Sequence, residues 1–120
     1  MSADTPPRVP VLCFGASGLR FAVPVAAVAA LDAAAPAAVS LAALLGLEPH
    51  AAATRTVTVT GGDRARALVV DAPLLLRVLD VGDVVPAPVA LPRNPAVLGF
   101  ARIDDELVQL LDTERLLAAS

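Results

Sequence analysis

The chain has 120 residues, a net charge of −3, a hydrophobic fraction of 57% and a mean hydropathy of +0.73, enough apolar material for one domain or two small lobes with a real core and too much for disorder. Its nine basic residues are scattered arginines and its only aromatics are three phenylalanines, which excludes the basic stripe and stacking rings of a nucleic-acid surface. The longest uncharged stretch, Ala33 to Leu47, contains Pro36 and falls short of the roughly 20 apolar residues that span a bilayer, while the single Cys13 leaves no internal disulfide and suits the cytoplasm.

In chain order, residues 1–9 are polar and proline-containing and read as a flexible leader to a single domain over 10–120. From Pro10 a strand begins, with Val11-Leu12-Cys13-Phe14 as its apolar run. Gly15 to Gly18 is a turn, and Arg20 to Val23 returns as a second strand. Pro24 suits the first position of a helix, and Val25, Val28 and Ala29 at i, i+3, i+4 spacing predict that they share one helical face. Phe21 to Leu31 weakly imitates a signal-peptide core, but Pro24 inside it favours a strand running into a short helix.

Asp32 to Ala38 is a loop around Pro36. Ser40 is placed to cap a second short helix with Leu41, Leu44 and Leu45 facing inward and Gly46 ending it. Thr54 to Thr60 alternates strictly, threonines on one face and Arg55, Val57 and Val59 on the other. Gly61-Gly62 predicts a tight turn, and Arg66 to Val70 the partner strand, apolar enough to be buried on both faces. Pro73 interrupts, and Leu74 to Leu79 resumes as another strand.

Pro86, Pro88, Pro92 and Pro95 make residues 80–96 an extended connection with little regular structure. Val97 to Ile103, the turn Asp104-Asp105 and Glu106 to Leu111 form a closing hairpin. Asp112 caps a final helix docked by Leu116 and Leu117. About seven strands with turns at short intervals predict an all-β chain of small barrels or a sandwich, with short helices.

Catalytic groupings are sparse. Cys13 and His50 nominally form a nucleophile–base pair, but a mid-strand cysteine is ordinarily a small core hydrophobe and His50 lies in an Ala- and Pro-rich connector. Asp104, Asp105 and Glu106 lack the ligand spacing of a calcium loop and fit a hairpin turn. Gly15 to Gly18 lacks the lysine of a phosphate loop, and one Cys with one His does not make a zinc site. No cofactor and no metal is expected. What remains is apolar surface on short elements, either core or a binding groove.

Three stretches, Gly18 to Val28, Arg66 to Asp71 and Leu98 to Leu117, resemble the CheW-like family of chemosensory adaptors in order and spacing. The last is the most specific, with a strand, turn, strand and Leu-Asp-x-x-x-Leu-Leu helix. The resemblance runs from about Val11 to Leu117 and implies a fold of two small SH3-like β-barrels with an apolar groove between them. It implies no enzyme activity, a chemoreceptor cytoplasmic domain as partner and a CheA-type histidine kinase as a second one. By the same resemblance Val25 and Val28, on the opening helix, and Leu74 and Leu76, on the opposing strand, fall where receptor-contacting residues lie.

The family's strand pair between the first helix and the Leu-Leu-Gly turn, with its Asn-Leu-Arg-Gly-like motif, is replaced here by Ala35 to Val39, roughly twenty residues shorter by alignment. Ala30 stands where the family often has a glutamate, the natural partner of the missing arginine, and losing both together avoids a poorly compensated charge. The expectation is a trimmed first barrel and a reduced kinase-binding surface. This shortness is similar to that of the divergent branch serving the frizzy chemosensory system of myxobacteria.

The reading is therefore a cytoplasmic adaptor at chemosensory arrays that binds receptor tips, without inserting in the membrane. The alternatives are a full coupling protein bridging receptor and kinase, an enzyme using Cys13 and His50, and a self-associating β module with an exposed barrel edge.

Overall fold

The computed structural model describes residues 7–33, 37–48, 53–86 and 96–118. In chain order the elements are β1 (Arg8–Ala16), β2 (Leu19–Pro24), a single 3-10 turn (Val25–Ala27), β3 (Val28–Leu31), β4 (Val39–Ser40), α1 (Leu41–Leu44), β5 (Thr54–Gly61) and β6 (Arg64–Asp80). A second 3-10 turn (Val81–Asp83), β7 (Val85–Pro86), β8 (Val97–Ile103), β9 (Glu106–Leu111) and α2 (Thr113–Ala118) complete the described chain. The strands form one coiled sheet in the order β3-β5-β6-β1-β2-β9-β8-β7, with β4 pairing β6 off that path. All pairings are antiparallel except β4 with β6 and β2 with β9.

Two cores form because β1, β2 and β6 contribute to both. Leu12 and Phe14 of β1, Phe21 and Val23 of β2 and Leu68 and Val70 of β6 enter the first. Val11 and Cys13, Ala22, and Leu79 of the same strands enter the second. Successive residues of a strand point to opposite faces, so the unbroken apolar run Val11 to Phe14 serves two interiors at once. The first lobe adds Val57 and Val59 of β5, Leu41 of α1 and Leu116 of α2. The second adds Ala101 and Ile103 of β8 and Val108 and Leu110 of β9. The fold is all-β with short helices.

Several expected elements stand as read. Ser40 caps α1, its Oγ accepting from the Ala43 N–H at 3.3 Å, and Gly46 follows with φ +71°, the left-handed conformation a helix end favours. Asp112 Oδ1 accepts from the Glu114 N–H at 3.1 Å. Asp104 and Asp105 both take positive φ, as a two-residue hairpin turn requires.

Other expectations are corrected. The opening helix is only the 3-10 turn Val25–Ala27, and Val28 already belongs to β3, where it pairs with Val59. Cross-strand pairing of β-branched valines outweighs a helical spacing that three residues cannot sustain. Pro73 does not end a strand: β6 continues through it. The register against β1 shifts there, from Cys13 opposite Leu75 to Gly15 opposite Asp71, and a bulge is where a strand tolerates a residue with no N–H. The β5–β6 turn is Gly62-Asp63, closed by Gly61 opposite Arg64. β1 begins at Arg8, paired with Asp80, two residues earlier than read. The 80–96 connection holds a 3-10 turn and the short β7, and its residues 87–95 lie outside the described residues. Nine described strands replace the expected seven.

Candidate functional site

Three of the four residues singled out from the sequence, Val28, Leu74 and Leu76, lie at the border of the first core. Val28 on β3 is half-buried and packs against that core, as does Leu74 on β6. Leu76 stands opposite Leu12 of β1, so it continues the Leu74 row along the same face of β6, and it is 67% exposed. Val25 is half-buried in the 3-10 turn and belongs to neither core. The structure thus joins Val28 and Leu74 through a shared core and carries Leu74 onward to Leu76 at the surface. The helical face expected to hold Val25 and Val28 together does not exist.

Sequence reasoning missed the continuation of this apolar surface. Val78, opposite Pro10, is 61% exposed on the same face as Leu76. On the second lobe Val85, Leu98 and Leu107 are each more than half exposed. Val85 lies opposite Phe100, and Leu107 opposite Arg102. The available signal was alternation: Val97, Gly99, Ala101 and Ile103 face inward, so Leu98 takes an outward position where a polar residue is the ordinary choice. Scattered exposed leucines are unremarkable, but these share one lobe.

Gly99 positions part of this surface. A Cβ there would lie 2.5 Å from the Val85 carbonyl oxygen and 3.2 Å from Pro86 Cα. Only glycine lets β7 sit this close to β8 and present Val85.

Of the groups considered for chemistry, Cys13 is core, and Asp104 and Glu106 are paired with arginines. Cys13 is buried in the middle of β1, between Leu12 and Phe14. Burial pushes its thiol pKa up, against the pull of Arg20 and Arg77. His50 lies outside the described residues. A cavity of about 160 Å³ beside Cys13 is rimmed by Arg20 with Glu106 and Arg77 with Asp104. Arg20 Nε lies 3.4 Å from Glu106 Oε2, and Arg77 donates from Nε to Asp104 Oδ2. Charge in this cleft is therefore matched pair by pair. Among the described residues no helix is long and apolar enough to cross a membrane.

A family model described as CheW-like domain matches residues 35–120. The scaffolding protein TtCheW from Thermoanaerobacter tengcongensis has a similar structure, with a TM-score of 0.72 and 16% identity over 88% of this chain and 90% of that one. No curated protein matched by sequence. The comparisons reach the family and do not reach the frizzy branch within it.

Proposed function

This chain belongs to the CheW-like domain family, whose members are non-enzymatic scaffold and adaptor proteins of chemotaxis signalling, and from that premise we propose that it binds the helical cytoplasmic tip of a chemoreceptor through Val25, Val28, Leu74 and Leu76. The supporting observation is Leu76, an aliphatic side chain 67% exposed in a row that starts at Leu74 beside the first core and runs on to Val78. A helix laid against such a row docks through spaced apolar anchors. The proposed place of action is the cytoplasmic side of chemosensory arrays.

The test is calorimetry of the purified protein against a chemoreceptor cytoplasmic fragment and, separately, a CheA-type regulatory-domain fragment. Leu76→Asp is the cleanest probe, because Val28 supports the core and its loss would confuse folding with binding. Covering one exposed leucine is worth about 2 kcal/mol, roughly thirtyfold in affinity, so Leu76→Asp should weaken receptor binding at least that much with the fold intact. Unchanged receptor affinity in a folded Leu76→Asp protein removes this groove from consideration.

A second reading, a coupling protein that also holds the kinase, is favoured by one observation. Val85, Leu98 and Leu107 leave an apolar face on the second lobe, on strands other than β3 and β4, between which the sequence is expected to lack the family's strand pair. A reduced kinase surface on the first lobe is therefore compatible with kinase binding through the second. Binding to the receptor fragment alone supports the receptor-directed adaptor, and binding to both fragments supports the coupling protein.

A further inference from the structure

The cavity beside Cys13 is charged on a side of the strands that is otherwise apolar. Arg20 is in register with Val108, Arg77 with Val11 and Glu106 with Ile103, and residues in register share a face of the sheet. All three therefore lie on the side of the second core, which holds Val11, Ile103 and Val108. Leu75 and Val108 give the cavity apolar walls. Leu75 and Arg77 alternate along β6 with Leu74, Leu76 and Val78, so the cavity lies on the opposite face from that exposed row.

Charge is matched here, but hydrogen bonding is not. Arg20 Nε is fully enclosed and its N–H has no acceptor. The Glu106 carboxylate, at 3.4 Å, forms an ion pair but lies too far off the N–H line for a hydrogen bond. A buried donor left unsatisfied is costly, and this one belongs to a side chain that borders about 160 Å³ of open space.

We propose that the cavity binds a small zwitterionic α-amino acid, its carboxylate on Arg20 and Arg77, its ammonium on Asp104 and Glu106, and its short side chain against Leu75 and Val108. Size, charge and exposure select that class. A cavity of about 150 Å³ takes benzene, so a ligand the size of alanine fits. A lone anion would have to part Arg77 from Asp104, to which it is hydrogen-bonded, and leave a carboxylate unpaired. A lone cation fails for the mirrored reason. A zwitterion brings both signs, so each arginine and each acid keeps an opposite charge beside it.

The arginines are the enclosed half of the site, with side chains 21% and 37% exposed for Arg20 and Arg77, against 62% and 66% for Glu106 and Asp104. Arg77 also donates from Nη1 to the Leu76 carbonyl at 2.8 Å, which fixes its guanidinium. A planar carboxylate suits such fixed forks, and the exposed acids stand where the ammonium end meets solvent. Because charge pairing is only exchanged, the gain is the acceptor for Arg20 Nε and a little apolar contact. The dissociation constant is therefore on the order of millimolar. The site uses none of the residues proposed to contact the receptor, so either reading can fail alone.

Amide NMR of the full chain titrated with L-alanine should show saturable shifts at Arg20, Leu75 and Val108, with acetate and ethylammonium each binding at least tenfold more weakly. Arg20→Lys keeps the charge and deletes the Nε–H, so it should weaken alanine at least tenfold. Glu106→Gln changes an exposed side chain and leaves Arg20 without its ion-pair partner. In that variant alanine should weaken and acetate strengthen, narrowing or reversing their order. The amide spectra of both variants, unchanged away from the cavity, will show that they are folded. Alanine that gives no saturable shift up to the limit of its solubility overturns the proposal. So does acetate that binds the unaltered protein as tightly as alanine, or an alanine affinity that both variants leave unchanged.

Discussion

The two lobes share β1, β2 and β6 but place their apolar residues differently. The first lobe buries Phe14 and Phe21 completely, with Leu41, Leu68, Leu111 and Leu116 around them. Its β5 turns Val57 and Val59 inward and carries threonines in the alternate positions. The second lobe has a smaller interior with no aromatic residue, and its strands carry Val85, Leu98 and Leu107 outward. The first lobe keeps the larger interior and exposes Leu31, Leu76 and Val78 at its border, whereas the second has the smaller interior and exposes Val85, Leu98 and Leu107 on its outer strands. A scaffold needs both a packed interior and exposed apolar surface, and here the proportion differs between halves that cannot separate, because three strands run through both.

The largest test of that division is a matched pair of core truncations. Leu68→Ala in the first core should cost about 4 kcal/mol and Ile103→Ala in the second about 2 kcal/mol in urea unfolding. Both should give a single transition, since the lobes share strands and unfold together. Two resolved transitions, or equal costs, would mean that the lobes are independent or that the second is the better packed.

A smaller effect separates two glycines. Gly99→Ala drives a Cβ into backbone atoms of Val85 and Pro86, which do not yield cheaply, so a loss of about 1–2 kcal/mol is expected together with displacement of β7. Gly61→Ala meets only the Leu117 Cδ1 at 2.9 Å, the far end of a flexible side chain, and the alanine restricts the unfolded chain. It should be close to neutral. NMR shifts at Val85 would report the first and thermal denaturation the second. A neutral Gly99→Ala with β7 in place would show that this edge is looser than its spacing implies.

These tests fall where sequence reading succeeded and where it did not. The β8–β9 hairpin, the β5 alternation and the Ser40 and Asp112 caps were legible because each depends on residues within a few positions. The turn at Val25 was misread as a helix because i, i+3 spacing describes a helix and a turn equally, and the decision came from Val59 on a distant strand. Pro73 was misread as a break because its tolerance depends on a bulge in β6 that shifts the register against β1. The candidate site was legible only in part. Leu74 and Leu76 are recognisable as alternate positions of one strand. That Leu74 is half-buried while Leu76 stands in solvent follows from where the first core ends, which no local pattern records.

Cys13 tests the second lobe's interior by a rate. Its thiol is held protonated by burial, which raises its pKa despite nearby arginines. A mild alkylating reagent at neutral pH should therefore react slowly with the folded protein and rapidly in denaturant. Since the folded thiol pKa lies above the unfolded value, the unfolded state releases its proton first as pH rises. Stability is then unaffected below the unfolded thiol pKa and declines above it, and Cys13→Ser should remove that decline. Fast alkylation of the native protein would mark the second lobe as open.

The smallest expected effect lies at the edge of the first lobe. Arg55 donates to both carboxylate oxygens of Asp32, from Nε at 2.7 Å to Oδ1 and from Nη2 to Oδ2, and these hydrogen bonds hold the Asp32 carboxyl below the usual carboxylate range. A depressed carboxyl pKa stabilises the fold above the unfolded value of about 3.9, and that contribution disappears as pH falls through the folded value. Asp32→Asn should therefore differ from the unaltered chain at pH 7 and converge with it in acid. Both side chains are well exposed, so solvent and salt screen the pair and the difference at pH 7 should be slight. Its informative readout is local: Asp32 fixes the end of β3, so the variant should speed amide exchange along Val28 to Leu31 more than it lowers global stability. Equal effects on β3 and on the second lobe's β8 would show that the pair acts on the whole fold, and the first lobe's edge would then be no separate element of the design.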